Sequence, residues 1–126
     1  MITLLQELNR QFTQVHKESY HNYNTANEID YPYLTYDFDV EDLAPNVEGF
    51  YIDIDIFDNT GEFINVFEIE DKLKDWFKQK VVLTEDHLLR FNFLRSMKVP
   101  TGDNLLRRRN MQFYCKVDWR NKEWQD

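Results

Sequence analysis

Cysteine, glycine and proline are scarce in this chain of 126 residues, and long apolar runs are missing. The single cysteine, Cys115, can form neither an internal disulfide nor a four-thiolate zinc site, which favours a reducing compartment. Three glycines leave little room for a phosphate-cradling loop. No stretch approaches the roughly 20 apolar residues that cross a bilayer, and the residues after Met1 do not form a signal peptide. We therefore expect a cytosol-made protein with no membrane partner.

Positive charge is also in deficit. Lys and Arg number 15 against 23 Asp and Glu, a net charge of -8. Because phosphates and anionic lipids are bound through cations, this balance argues against a surface that grips nucleic acid or membrane throughout. Apolar residues make up 42% of the chain, enough for a real core. The sequence predicts one soluble acidic domain over residues 1–126.

Apolar spacing predicts two amphipathic helices and four strands. Steps of three and four residues indicate helices over 2–19 and 62–80, and alternation indicates strands over 34–40, 50–57, 88–99 and 108–120. Residues 41–48 are expected to form a loop. The order α-β-β-α-β-β predicts a two-layer α+β fold, in which a mainly antiparallel four-stranded sheet packs against both helices.

The same alternation predicts which side chains face the helices. Along 88–99 the apolar set Leu89, Phe91, Phe93, Met97 and Val99 is expected on one face, and Cys115 is expected to be a small buried hydrophobe. The water-facing side of the second helix is predicted to carry Glu68, Glu70, Lys72, Lys74 and Lys78. The predicted core of the sheet is Leu34, Phe38, Ile52, Ile54, Ile56, Phe91, Phe113 and Val117.

Catalytic signatures are hard to find. The three histidines lack zinc-site spacing, so no metal or cofactor is expected. Asp53 and Asp55 point the same way from one strand, and with Glu68 and Lys116 such a pair can hold Mg²⁺ for phosphodiester cleavage. A small metal-dependent nuclease is therefore one alternative. The other is that the two aspartates lie on a solvated strand face or on a face between subunits.

The segment from Val99 to Asn110 exceeds the two to five residues of ordinary hairpin loops. Leu105 and Leu106 follow Pro, Gly, Asp and Asn with no alternation that would bury them. The run Arg107, Arg108 and Arg109 comes next and is expected to form an exposed basic spot that favours an acidic partner. We expect either an arm that reaches a neighbouring subunit, or a loop whose leucines fold back on their own subunit.

The pattern resembles the tail terminator proteins of long-tailed phages and prophages, also called tail completion or head–tail joining proteins. The resemblance covers roughly residues 30–120. It is carried by Tyr31-Pro32-Tyr33-Leu34, by Tyr51-Ile52-Asp53-Ile54-Asp55-Ile56-Phe57-Asp58-Asn59, by Val99-Pro100 with Asp103, and by Arg107-Arg108-Arg109-Asn110-Met111-Gln112-Phe113.

The resemblance implies structural work without catalysis. Members assemble as a ring, usually of six, on the head-proximal end of the tail tube, which they stop from growing. The implied partners are further copies of the chain, the tail tube protein and a head-completion or connector protein, while DNA passes through without specific binding. The implied location is the tail or neck of the virion, after assembly in the host cytoplasm.

Interface residues follow from exposure and chemistry. Aromatic side chains beside charges are typical of a contact with a polar rim. The predicted subunit or tube interface consists of Tyr51, Asp53, Asp55, Phe57, Leu105, Leu106, Arg107, Arg108 and Arg109. A further alternative is an acidic adaptor that binds a host protein through its aromatic surface.

Overall fold

A computed structural model describes residues 1–120, and residues 121–126 of the predicted single domain lie outside that part. Within residues 1–120, two helices and six strands follow one another in the order α-β-β-β-α-β-β-β. They are α1 (Ile2–Val15), β1 (Ser19–His21), β2 (Tyr33–Ala44), β3 (Val47–Asp58), α2 (Ile64–Phe77), β4 (Val81–Leu83), β5 (His87–Val99) and β6 (Arg107–Trp119).

The strands form one curled sheet in the order β1-β2-β3-β6-β5-β4. β1 runs parallel to β2, and every other neighbouring pair is antiparallel. The predicted four-stranded sheet and the order α-β-β-α-β-β are therefore wrong. The two missed strands, β1 and β4, have three residues each, too few for an alternating pattern to appear.

The loop predicted over residues 41–48 is also wrong, because β2 and β3 continue through it as a hairpin. Ala44 pairs with Val47, which leaves Pro45 and Asn46 as the turn. Asn46 has a φ of 68°, a left-handed conformation that asparagine tolerates better than most residues. The acidic residues that looked like loop material, Glu41 and Asp42, lie on β2 and pair with Gly49 and Glu48 of β3.

A bulge in β5 overturns the face predicted for its second half. Phe93 pairs with Phe113, but Arg95 pairs with Gln112, so Leu94 is an extra residue. One extra residue shifts the alternation by one position. Met97 and Val99 consequently lie on the face opposite Phe91, although the sequence predicts them beside it.

Both helices pack on one face of the sheet. The helices supply Leu4, Leu8, Phe12, Val66, Ile69, Leu73 and Phe77 to the core. The predicted sheet core is confirmed except for Phe38, which is only half-buried. Cys115 is fully buried as predicted, and this burial raises the pKa of its thiol to about 12.

Candidate functional site

The face of the sheet opposite the helices, called the open face, carries five of the nine residues of the predicted interface, four of them on β3. The sequence predicts that Tyr51, Asp53, Asp55 and Phe57 share this face, and their exposure pattern along β3 confirms it. Tyr51 has 44% of its surface exposed, whereas Ile52 and Ile54 on either side of Asp53 are buried. The neighbours across the ladders are Asp37 and Asp39 of β2 and Gln112 and Tyr114 of β6.

Asp53 and Asp55 are held by side chains of β6. The Arg108 guanidinium donates to Asp55 at 3.0 Å. Asn110 donates to the same oxygen at 3.2 Å, and Gln112 donates to Asp53 at 2.8 Å. The cation needed to balance Asp55 is therefore Arg108, which competes with a metal ion for that oxygen.

The residues of the nuclease alternative do not come together. Glu68 lies on α2, which covers the other side of the sheet from Asp53 and Asp55. Among residues 1–120, no group of three or more His, Cys, Asp or Glu side chains is placed to hold a metal ion.

Tyr51 belongs to an aromatic pair that depends on a glycine. Its ring meets Tyr114 edge-on, with 4.9 Å between centroids. Tyr114 lies across Gly49, where an added Cβ would come within 1.7 Å of the tyrosine oxygen. The Tyr114 hydroxyl donates to Glu41 at 2.8 Å. Burial is the larger cause and this hydrogen bond the second cause that raise the pKa of Tyr114 to about 12. Gly49 was the sequence signal for this close approach.

Phe57 forms a second aromatic group at the other end of the open face. It stacks on Tyr33 at 4.9 Å, and the Arg108 guanidinium lies 5.6 Å from its centroid. Tyr31 adds a third ring 5.4 Å from Tyr33. The Tyr-Pro-Tyr segment that carries part of the family resemblance is thus tied to Phe57 and to the arginine run.

The arginine run does not form one exposed basic spot, and that prediction is wrong. Successive strand residues point to opposite faces, so Arg108 lies on the open face while Arg107 and Arg109 lie on the helix side. All three are half-buried and partnered. Arg109 is hydrogen-bonded to Glu70 of α2 and donates to Ser96 at 3.1 Å. Glu70 is itself buried, which corrects its predicted place on the water-facing side.

The loop over residues 100–106 is built around Asp103. Its carboxylate accepts the backbone N–H groups of Leu105 and Leu106 at 2.8 and 3.0 Å. These two bonds lower the pKa of Asp103. The Leu105 carbonyl accepts the Gly61 N–H at 2.8 Å, which ties the loop to the segment before α2. The loop therefore has a defined shape, yet the Leu105 side chain remains 59% exposed.

An apolar patch rimmed by cations lies near Leu105, which is hydrogen-bonded to Gly61 two residues before Phe63, and sequence analysis missed most of this patch. Phe63 and Phe67 stack at 5.5 Å, and Phe67 is 44% exposed. Lys98 and Arg107 each lie 5.8 Å from the Phe63 ring, and Arg109 lies 5.2 Å from Phe67. The end patch is defined as Phe63, Ile64, Phe67, Lys98, Leu105, Arg107 and Arg109. Phe63 and Phe67 stand four residues apart at the start of α2, off its buried stripe, and that spacing was the available signal.

A groove of about 360 Å³ lies between the helices, lined by Gln14, Val15, Lys72, Asp75 and Trp76. None of the predicted site residues lines this groove. No helix in the described part of the chain is both long and apolar enough to cross a membrane.

The fold is similar to that of a known virion component. No protein-family model matches the chain, and no curated protein matches its sequence. Among solved structures, a chain from "Virion of native gene transfer agent (GTA) particle" superimposes with a TM-score of 0.62 and 15% sequence identity. The match covers 88% of this chain and 91% of the other. At this identity, the comparison shows a shared fold.

Proposed function

We propose that this protein is a structural component of a phage-like virion and acts by assembly, without catalysis. The observation that carries the proposal is the fold shared with a chain of the gene transfer agent virion across nearly the whole of both chains. The independent support is the residue pattern over residues 30–120, which resembles phage tail terminators.

Within the virion, the proposed role is that of a tail terminator. Copies of the chain form a ring, of about six subunits by the resemblance to the family, at the head-proximal end of the tail tube. The ring stops tube growth and offers a surface to a head-completion or connector protein. DNA passes through without specific binding, which agrees with a net charge of -8 because like charges repel. The protein works in the tail or neck after assembly in the host cytoplasm.

The two surfaces described above are the proposed contacts. The end patch, which includes Leu105, Arg107 and Arg109 and adjoins Leu106, combines apolar area with cations and suits an acidic partner, either the tube or a neighbouring subunit. The open face, with Tyr51, Asp53, Asp55, Phe57 and Arg108, offers aromatic rings rimmed by charge. The structure disfavours the nuclease alternative, because Arg108 forms an ion pair with Asp55 and Glu68 lies on the other side of the sheet.

Tyr51→Ser tests the open face as a contact. The substitution removes an exposed ring that meets only the edge of Tyr114, so we expect the melting temperature to change little. Ring formation on tail tubes, scored by electron microscopy, should weaken strongly because aromatic side chains dominate interface energies. The matched control is Tyr23→Ser, which removes an exposed tyrosine from the segment between β1 and β2.

Rings that form on Tyr51→Ser protein as readily as on wild-type protein would contradict the role of this face. An acidic adaptor that binds a host protein through the same aromatic surface predicts no rings from the wild-type protein or from either variant.

A further inference from the structure

Two strands of the sheet have one side that is only partly paired. β1 covers residues 34–36 of β2, and β4 covers residues 88–90 of β5. Within residues 1–120, no strand pairs with the outer side of residues 37–44, called the acidic edge, or of residues 92–99, called the basic edge. The two edges lie at opposite sides of the same sheet.

Backbone groups point outward along both edges. The Leu34 amide donates to Glu18 on the β1 side at 2.9 Å, and amide direction alternates along a strand, so the Phe38 and Val40 amides point outward too. On β5, the Phe91 amide donates outward to Lys80 at 3.0 Å, which directs the Phe93 amide the same way. The Phe38 amide also donates to the neighbouring Asp37 carboxylate at 2.9 Å, but within residues 1–120 no strand pairs with these outward groups. Such rows of outward backbone donors and acceptors are templates for another strand.

Apolar side chains accompany these backbone groups. Val40 on the acidic edge is 48% exposed, and Leu94 on the basic edge is 46% exposed. Leu43, Phe93 and Met97 are also exposed along the two edges. Edge pairing would therefore bury apolar surface in addition to making backbone hydrogen bonds.

Charge selects which edges can meet. The acidic edge carries Asp37, Asp39, Glu41 and Asp42 with no cation, and the basic edge carries Arg95 and Lys98 with no acid. Two acidic edges or two basic edges would set like charges opposite each other, which destabilises a strand pair. An acidic edge against a basic edge sets opposite charges together.

The match holds separately on each face of the sheet. On the open face, Asp39 and Glu41 of β2 correspond to Arg95 of β5, whose side chain donates to Gln112 on that face at 2.7 Å. On the helix side, Val40 corresponds to Phe93, which packs edge-on against buried Phe113. A continued sheet thus pairs charge with charge and apolar with apolar.

We propose that copies of this chain join head to tail by antiparallel pairing of the acidic edge of one copy with the basic edge of the next. β2 and β5 already run in opposite directions, because three antiparallel steps separate them in the sheet. When successive copies are related by rotation about an axis parallel to the strands, strand directions do not change, so β2 of one copy and β5 of the next remain antiparallel. A contact between two different surfaces forms a closed ring when the rotation from copy to copy returns to the first copy. This inference rests on the proposed function and supplies the contact between ring subunits.

Cysteine cross-linking tests the pairing. Val40→Cys and Leu94→Cys each place one thiol on one edge, and a short bis-maleimide links thiols without requiring an exact register. Native Cys115 is fully buried with a raised pKa, so wild-type protein is the unreactive control. We expect no linked product from either variant alone, 1:1 dimers from their mixture, and a ladder of larger species from the doubly substituted chain. Dimers from one variant alone, or no product from a concentrated mixture, would overturn the proposal.

A proline substitution separates pairing from folding. Val40→Pro removes an outward amide that β3 does not use, and proline is tolerated at a strand edge. Because proline takes position 40, the thiol of the acidic edge is placed at Asp42→Cys, and the Leu94→Cys chain supplies the thiol of the basic edge. We expect Val40→Pro in the Asp42→Cys chain to abolish cross-linking to the Leu94→Cys chain, while the melting temperature stays near that of the wild type. Val40→Thr, which keeps the amide, should link normally. Equal linking by the proline and threonine variants would contradict the proposal.

Tube capping distinguishes failure of this inference from failure of the proposed function. If Val40→Pro protein still caps tail tubes at normal length, edge pairing is wrong and the terminator role stands. If cross-linking follows the expected pattern but wild-type protein never caps tubes, the terminator role is wrong and edge pairing stands.

Discussion

Replacing Glu70 with alanine should lower the free energy of unfolding by about 3 kcal/mol, because it leaves a half-buried arginine without its counter-charge. Glu70 is buried on α2, where it accepts from Arg109 of β6 and forms an ion pair with Lys74 at 3.2 Å. The loss should appear in urea unfolding at neutral pH. Glu68→Ala is the matched control on the same helix, and its exposed side chain should change stability by less than about 0.5 kcal/mol.

The effect should depend on pH with a definite sign. Burial alone raises the pKa of Glu70, but the bonds from Arg109 and Lys74 outweigh it and hold the pKa below its ordinary value of 4.5. A carboxylate lowered in this way stabilises the fold above its unfolded pKa and loses that contribution as pH falls through the folded pKa. The stability gap between wild type and Glu70→Ala should therefore narrow below pH 4.5. A gap that stays constant into acid would contradict the ion-pair explanation.

Replacing Leu105 and Leu106 together with serine should abolish capping of tail tubes and leave the monomer folded. The Leu105 side chain is largely exposed, so little of the core depends on it. The loop is held by backbone groups and by Asp103, and serine retains all of these bonds. The change removes apolar area that the proposed contact would bury. Tube length distributions in electron micrographs measure the loss.

Leu83→Ser is the control for the double substitution, since Leu83 is an exposed leucine on β4, away from the end patch. It should cap tubes normally. If the double serine variant instead unfolds the isolated monomer, the leucines belong to the core of their own subunit and the end patch is not a contact surface.

The long elements could be predicted because their periods extend over many residues. Ile52, Ile54 and Ile56 repeat at period two, and Leu4, Leu8 and Phe12 repeat at a helical spacing. The three-residue strands β1 and β4 could not be predicted in this way, because their identity depends on partners and not on their own pattern. The β5 bulge was hidden for a similar reason, as one extra residue is visible only against the strand beside it.

The charged part of the candidate site needed tertiary information. Glu70 stands four residues after Val66 and three before Leu73, so the buried stripe of α2 already included it. The charge of Glu70 led to its predicted place on the water-facing side, because the partner that makes its burial favourable, Arg109, lies 39 residues away in the sequence. The separation of acids on β2 from cations on β5 is likewise invisible until the order of strands in the sheet is known.

Electron microscopy of the protein mixed with assembling tail tube protein tests the central claim most directly. The account predicts rings at one end of each tube, together with tubes that stop at a defined length when the protein is present and continue to grow when it is absent. Tubes that grow without limit and carry no added density at either end, at protein concentrations in excess over tube ends, would contradict it.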